Sequence, residues 1–224
     1  FDTFNPIQTQ LFHILYHTDL SVLLGAPTGS GKTIVAELAL LRLKATNPNK
    51  KCVYIAPLKS LARERLKEWR KKLSPLKWNV LELSGDTHHD ARALNRADVL
   101  VCTPEKWDLM TRGWKGGQRS DYGEHAQKHR DGKRFVTDVG LLVIDEIHLL
   151  GEERGAVLEA IVSRTRYISQ YVKQNSMAQG GTSGGNKNTD GGDAIIPTRI
   201  IGLSTALANP TDLADWMGID VSSS

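Results

Sequence analysis

The chain has 224 residues, 40% hydrophobic and 24% charged, with a formal net charge of +4. That is long enough to bury one sizeable core, and no apolar run approaches the roughly 18–20 residues of a membrane span, so no membrane partner is expected. The two cysteines, Cys52 and Cys102, lie far apart inside apolar runs. They suit a reducing compartment and offer neither a disulfide framework nor a CxxC metal site.

In chain order, a helical pattern at 6–16 leads to a short apolar strand at 22–24. The sequence "APTGSGKT" follows, and then a helix at 32–43. After a strand at 52–56 the spacing predicts a helix at 60–73 that buries Ala62, Leu66, Trp69 and Leu73 on one face. From residue 42 to residue 77 there are twelve Lys or Arg against two acids, Glu64 and Glu68. Such a block fits a polyanion partner as well as a solvated helix face.

Strands at 80–83 and 99–102 alternate with helices at 90–97 and 105–110. The polar, basic stretch 112–134 interrupts this rhythm. It contains His125 and His129 at helical i, i+4 spacing, but without a third ligand they are not read as a metal site. A strand at 141–144 ends in Asp145 and Glu146, and a helix is expected at 156–171. Residues 174–193, glycine-rich and nearly without apolar side chains, read as a disordered surface loop. A strand at 200–203 and a helix at 210–216 complete the pattern. Continuous apolar strands alternating with helices give the α/β class, a mostly parallel sheet with helices on both faces.

Chemistry concentrates in two places. In Ala26, Pro27, Thr28, Gly29, Ser30, Gly31, Lys32 and Thr33, a glycine-rich turn joins a strand to a helix, the context of a phosphate-binding loop. Gly29 and Gly31 let backbone N–H groups converge on phosphates at a helix N-terminus. Lys32 would neutralise the β- and γ-phosphates of ATP, and Thr33 would offer its hydroxyl to Mg²⁺. The second place is "LLVIDEIH", where two carboxylates end a hydrophobic strand. Without a cation they would repel one another. With Mg²⁺, Asp145 holds the metal, partly through water, and Glu146 is free to orient or deprotonate the water that attacks the γ-phosphate. His148, read alone, would be a packing residue.

With these residues in view, the chain resembles superfamily-2 helicases of the DExH-box type nearly end to end. The resemblance implies a RecA-like P-loop NTPase domain over 1–221, with 112–134 and 174–193 as inserts. It reads "FNPIQ" as the adenine-recognising segment, with Gln8 reading the base and Phe4 stacking or packing. Ala26, where the general loop has Gly, matches the helicase form of that loop. Pro57, Lys59 and Arg63, with Ser84, Gly85, Thr103 and Pro104, resemble the motifs that grip a nucleic-acid strand. Ser204, Thr205 and Ala206 resemble the motif coupling hydrolysis to strand movement, and His148 links the nucleotide to the moving domain. Neutral hydroxyls and basic side chains are what phosphate contacts need, and such contacts carry no base information.

"DEIHLLGEERG", "VLEAIVSR" and "GLSTALANPTDLADW" narrow the resemblance to large helicases with tandem cassettes. That group has spliceosomal and ribosome-quality-control branches, and the fit is best to the C-terminal cassette in the subfamily of the activating signal cointegrator complex helicase. Its implied partners are single-stranded or duplex nucleic acid, with RNA favoured, and a ribosome- or nucleic-acid-associated complex in the cytoplasm and/or nucleus. A DNA-repair helicase and a catalytically weak regulatory cassette are the alternatives. The chain is expected to be a piece of a longer protein in which a second RecA-like domain, absent here, supplies arginine fingers. Such fingers are worth about 10³–10⁵ in rate, so the isolated piece should hydrolyse ATP poorly.

Overall fold

The computed structural model describes residues 3–84, 91–114, 135–149, 152–179, 197–207 and 209–219. Six strands appear where apolar runs were expected: β1 (Val22–Gly25), β2 (Lys51–Ile55), β3 (Val80–Leu83), β4 (Val99–Cys102), β5 (Val139–Ile144) and β6 (Arg199–Ser204). They form one sheet in the order β1-β6-β5-β2-β4-β3, and every pairing is parallel. The helices are α1 (Pro6–His17), α2 (Lys32–Thr46), α3 (Lys59–Leu73), α4 (Ala91–Arg96), α5 (Pro104–Thr111), α6 (Glu152–Gln179) and α7 (Pro210–Met217).

Strand alternation divides the core between the two faces of the sheet, as the pleat requires. Cys52, Tyr54, Val99, Val101, Leu141 and Val143 pack with α1, α2 and α3 side chains such as Leu15, Leu40 and Trp69. Their neighbours Val53, Ile55, Leu100, Leu142 and Ile144 pack with Leu94, Trp107, Leu158 and Met217 from α4 to α7. Both faces are therefore covered by helices. On α3, Ala62, Leu66, Trp69 and Leu73 are the buried positions, as the periodicity indicated.

Helix α6 is longer than expected at both ends, beginning at Glu152 rather than at residue 156. Residues 174–179 belong to α6 rather than to a loop. They are mostly polar but contain no helix breaker before the Gly180–Gly181 pair, so the α-helical ladder continues through them. Residues 180–193 of that segment, and 115–134 of the basic stretch with His125 and His129, lie outside the described residues. The start of the basic stretch folds back on α6, with the Trp114 ring 5.1 Å from Tyr171 and 6.1 Å from Tyr167.

Two charged clamps hold the helices in place, one from β6 to α1 and one between α5 and α6. Arg199 donates to the carbonyls of Leu20 (2.6 Å), Leu15 (2.8 Å) and Ile14 (3.0 Å), and so satisfies the C-terminal turn of α1 from β6. Asp108 on α5 accepts from Arg164 on α6 at 2.8 Å and from Arg112 Nε at 2.8 Å. Burial works to raise the Asp108 carboxyl, but hydrogen bonds from Arg112 and Arg164 outweigh it and hold the group below the usual carboxylate range.

Arg199→Met should lower unfolding free energy by about 3 kcal/mol, because several carbonyls lose a charged donor at once; denaturant melts check this. The Asp108 clamp is intact above the ordinary carboxylate pKa and is lost as pH falls through its depressed folded value. Acid titration of thermal stability should therefore show a shallower acid limb in Asp108→Asn than in the wild type.

Candidate active site and nucleic-acid groove

The sheet order brings the carboxyl ends of β1, β6 and β5 side by side, the position where open parallel sheets bind ligands. Backbone bonds extend this alignment beyond the strands: Ala26 N–H donates to Ser204 O at 2.9 Å, and Asp145 N–H to Ile55 O at 2.8 Å. The phosphate-loop candidate, the Asp-Glu pair and the Ser204–Ala206 segment therefore meet at one edge.

The loop after β1 turns through Gly29 at φ 81° and Gly31 at φ 85°, left-handed conformations that favour glycine. Gly31 is also the N-cap of α2, and a Cβ there would lie 2.2 Å from Gln8 Nε2. Pro27, Thr28 and Gly29 are exposed, whereas Ala26 and Lys32 are buried. The Lys32 ammonium donates to the Ala26 carbonyl at 2.9 Å and lies 3.6 Å from Glu146 Oε1. Thr33 follows at the start of α2.

Glu146 adopts φ 47°, unusual for a residue with a side chain, at a cost of roughly 1–3 kcal/mol. The kink lets its N–H donate to Asp145 Oδ1 at 3.0 Å while its carboxylate turns toward Lys32. Glu146 Oε2 is buried and makes no hydrogen bond, and the same holds for Ser30 Oγ. An unpaired Ser30 hydroxyl in a loop that carries the Lys32 ammonium suits an incoming phosphate oxygen, and the unpaired Glu146 oxygen suits the hydrogen of an attacking water.

A hard cation also fits. Among the described residues no cluster of three or more His, Cys, Asp or Glu could hold a metal. Thr33 and Asp145 supply oxygen donors, which suits Mg²⁺, an ion that takes most of its ligands from phosphates and water. The other oxygen of Asp145, Oδ2, accepts from the Tyr54 hydroxyl. Burial, and then the negative charge of Asp145, push that hydroxyl well above the usual phenol range, so it remains a donor.

His148 connects the Asp-Glu turn to the end of β6. Its Nδ1 lies 3.5 Å from Glu146 Oε2 and 3.3 Å from Ser204 Oγ, and its Nε2 is 2.8 Å from Thr205 Oγ1. Ser204 is fully buried and donates to Ala206 O at 2.6 Å. The imidazole is a physical bridge between two segments that motif reading alone had linked.

At the N-terminus, Asn5 and Gln8 form a capping box: Gln8 N–H donates to Asn5 Oδ1 at 2.9 Å, and Asn5 N–H to Gln8 Oε1 at 3.1 Å. Asn5 Nδ2 donates to Ser30 O at 2.7 Å. Gln8 is buried against the loop, and its carbonyl keeps a second lone pair beyond the one used in the box. Phe4 is exposed, its ring 5.6 Å from Phe12. Sequence reasoning missed Asn5 and Tyr54. The first was legible as an N-cap three residues before Gln8; the second was a lone hydroxyl in a buried strand, which must find a partner.

The remaining site candidates occupy the other half of the same edge, beyond β2 and β4. Pro57, Leu58, Lys59, Thr103, Glu105, Lys106 and Leu109 line one open groove. Pro104 begins α5, and the Thr103 hydroxyl makes no capping hydrogen bond, which leaves it beside the groove. Arg63 is largely exposed, its Nε 3.7 Å from Glu82 Oε1. Ser84 is buried at the end of β3, and Gly85 lies outside the described residues.

This geometry can be set beside known proteins. Residues 5–211 match the DEAD/DEAH box helicase family. The chain belongs to that family. It is 48% identical over 98% of its length to activating signal cointegrator 1 complex subunit 3 of Homo sapiens and of Gallus gallus. It is 49% identical over 98% of its length to the DExH-box ATP-dependent RNA helicase DExH14 of Arabidopsis thaliana. The chain spans 8% of the length of each of these relatives. The crystal structure of DUF1998 helicase MrfA shares the fold, with a TM-score of 0.69 at 18% identity over 97% of this chain and 29% of that one. The helicase domain is thus RecA-like, and the family is one of ATP-dependent helicases.

Gly31→Ala should abolish nucleotide binding, because the new Cβ meets Gln8 at a φ that already disfavours a side chain. Isothermal titration with ATP checks this. The fold should lose only about 1–2 kcal/mol.

Proposed function

We propose that this domain binds ATP with Mg²⁺ as the ATP-binding half of an RNA helicase that moves 3′ to 5′. The observation that carries the reading is the Lys32 ammonium, between the Ala26 carbonyl and Glu146, beside an Asp145 carboxylate fixed at both oxygens. An incoming γ-phosphate offers Lys32 a stronger partner than a neutral carbonyl. Moving toward it frees Glu146 to hold the attacking water and accept its proton. Bound Mg²⁺, held by Thr33 and Asp145, would neutralise charge on the phosphates. His148 would pass changes at Glu146 to Ser204 and Thr205. Gln8 and Phe4 would hold the adenine end.

On the other half of the edge, Pro57, Lys59, Arg63, Ser84, Gly85, Thr103 and Pro104 would grip the sugar-phosphate backbone. A second RecA-like domain of the same polypeptide would close over both halves and supply arginine fingers. RNA is favoured because a relative 49% identical to the chain is described as an RNA helicase. The other relatives are described as subunits of a complex, which supports work in a larger assembly; its association with nucleic acid or the ribosome and its place in the cytoplasm and/or nucleus are part of the proposal. Among the described residues no helix is long and apolar enough to cross a membrane.

Matched RNA and DNA duplexes with 3′ tails, given to the full-length protein, test the proposal. ATP-dependent unwinding should favour RNA, and Lys32→Ala should abolish nucleotide binding and unwinding together. Preference for DNA would favour a repair helicase, and absence of ATPase activity in the wild-type cassette would favour a regulatory module.

A further inference from the structure

The junction between the two halves of the site edge is the β5–β2 pair, and at its carboxyl end one polar side chain, Tyr54, lies within it. Tyr54, in the otherwise apolar end of β2, pairs with Val143 of β5 and is fully buried. Its ring packs edge-on against Trp69 at 5.0 Å and 71°, and the Arg65 guanidinium carbon lies 5.6 Å from its centroid. Trp69 is itself anchored: its indole N–H donates to Glu37 Oε1 at 3.1 Å, and Glu37 also pairs with Lys72. Glu37 belongs to α2, the helix that begins with Lys32 and Thr33.

A phenol held this way has little freedom. Its ring is wedged between a strand and a tryptophan, so its single donor proton points along one direction. That direction ends at Asp145 Oδ2, while Asp145 Oδ1 is held by the Glu146 N–H. Mg²⁺ demands near-ideal octahedral geometry, so the angle of its carboxylate ligand matters more than for a larger cation. Groups that orient a ligating side chain typically change metal affinity by about ten- to a hundredfold.

We propose that Tyr54 is a positioning residue for the nucleotide-bound divalent cation: its hydroxyl, braced by Trp69 and Arg65, aims the Asp145 carboxylate at the metal. This rests on Asp145 as the metal-holding carboxylate. Trp69 and Arg65 both belong to α3, the helix that starts with Lys59 and carries Arg63, so the side chains that brace Tyr54 come from the helix that also lines the groove.

The test titrates MgCl₂ against the full-length protein with a fluorescent ATP analogue, following binding rather than turnover. Tyr54→Phe keeps the ring and removes only the hydroxyl. It should raise the Mg²⁺ concentration for half-maximal binding by about tenfold, with affinity in EDTA unchanged. Thermal melting alongside should find the fold intact. In an Asp145→Asn background, Tyr54→Phe should add nothing further. An unchanged Mg²⁺ midpoint in Tyr54→Phe, or equal weakening in EDTA, overturns the proposal. If Asp145→Asn itself leaves the Mg²⁺ dependence untouched, the reading of Asp145 fails and takes the proposal with it. If Asp145→Asn shifts it and Tyr54→Phe does not, only the role of Tyr54 is lost.

Discussion

The Lys32 ammonium, buried between the Ala26 carbonyl and the Glu146 carboxylate, is the interaction on which the rest of the site depends. A charge with so little exposure must have partners on every side. Those partners come from two strand ends that are neighbours of β6 in the sheet though remote in sequence. The parallel order β1-β6-β5 is what supplies them. With β1 and β5 at opposite ends of the sheet, Lys32 and Glu146 would not meet.

The same sheet order explains why one edge can hold two ligands. Strands β1, β6 and β5 present the phosphate loop, the carboxylates and the Ser204–Ala206 segment. Strands β2 and β4, with their following helices, present Pro57, Lys59 and Thr103. Everything between the halves crosses the β5–β2 pair, where Ile55 accepts from Asp145 N–H and Tyr54 bonds its side chain. A single residue, Tyr54, therefore separates Trp69 and Arg65 of α3 from Asp145.

Much of this was legible in the sequence because the relevant signals are local. A strand, a glycine-rich turn and a helix in succession specify the loop whatever surrounds them. Apolar runs of three to five residues pointed to the strands, with small differences at their ends. Side-chain partners across the sheet were not legible. Tyr54 and Asp145 are separated by 91 positions, and Arg199 reaches carbonyls 179 to 185 positions away. Nothing in "KCVYI" or "RIIGLS" names those partners. Helix α6 illustrates the opposite error. Mostly polar composition at 174–179 suggested a loop, but an established helix needs only the absence of a breaker to continue, and the next glycines after Gly155 come at 180 and 181.

The central claim is that Asp145 and Glu146, adjacent in sequence, do separate work: one holds the metal and the other the water. Its most direct test compares ATP binding and single-turnover hydrolysis in Glu146→Gln, within the intact protein. Glutamine keeps the volume and can hold a water, but it cannot accept its proton. The account predicts ATP affinity within about threefold of wild type and hydrolysis slowed by about 10²–10⁴. Hydrolysis at the wild-type rate with unchanged binding would contradict it.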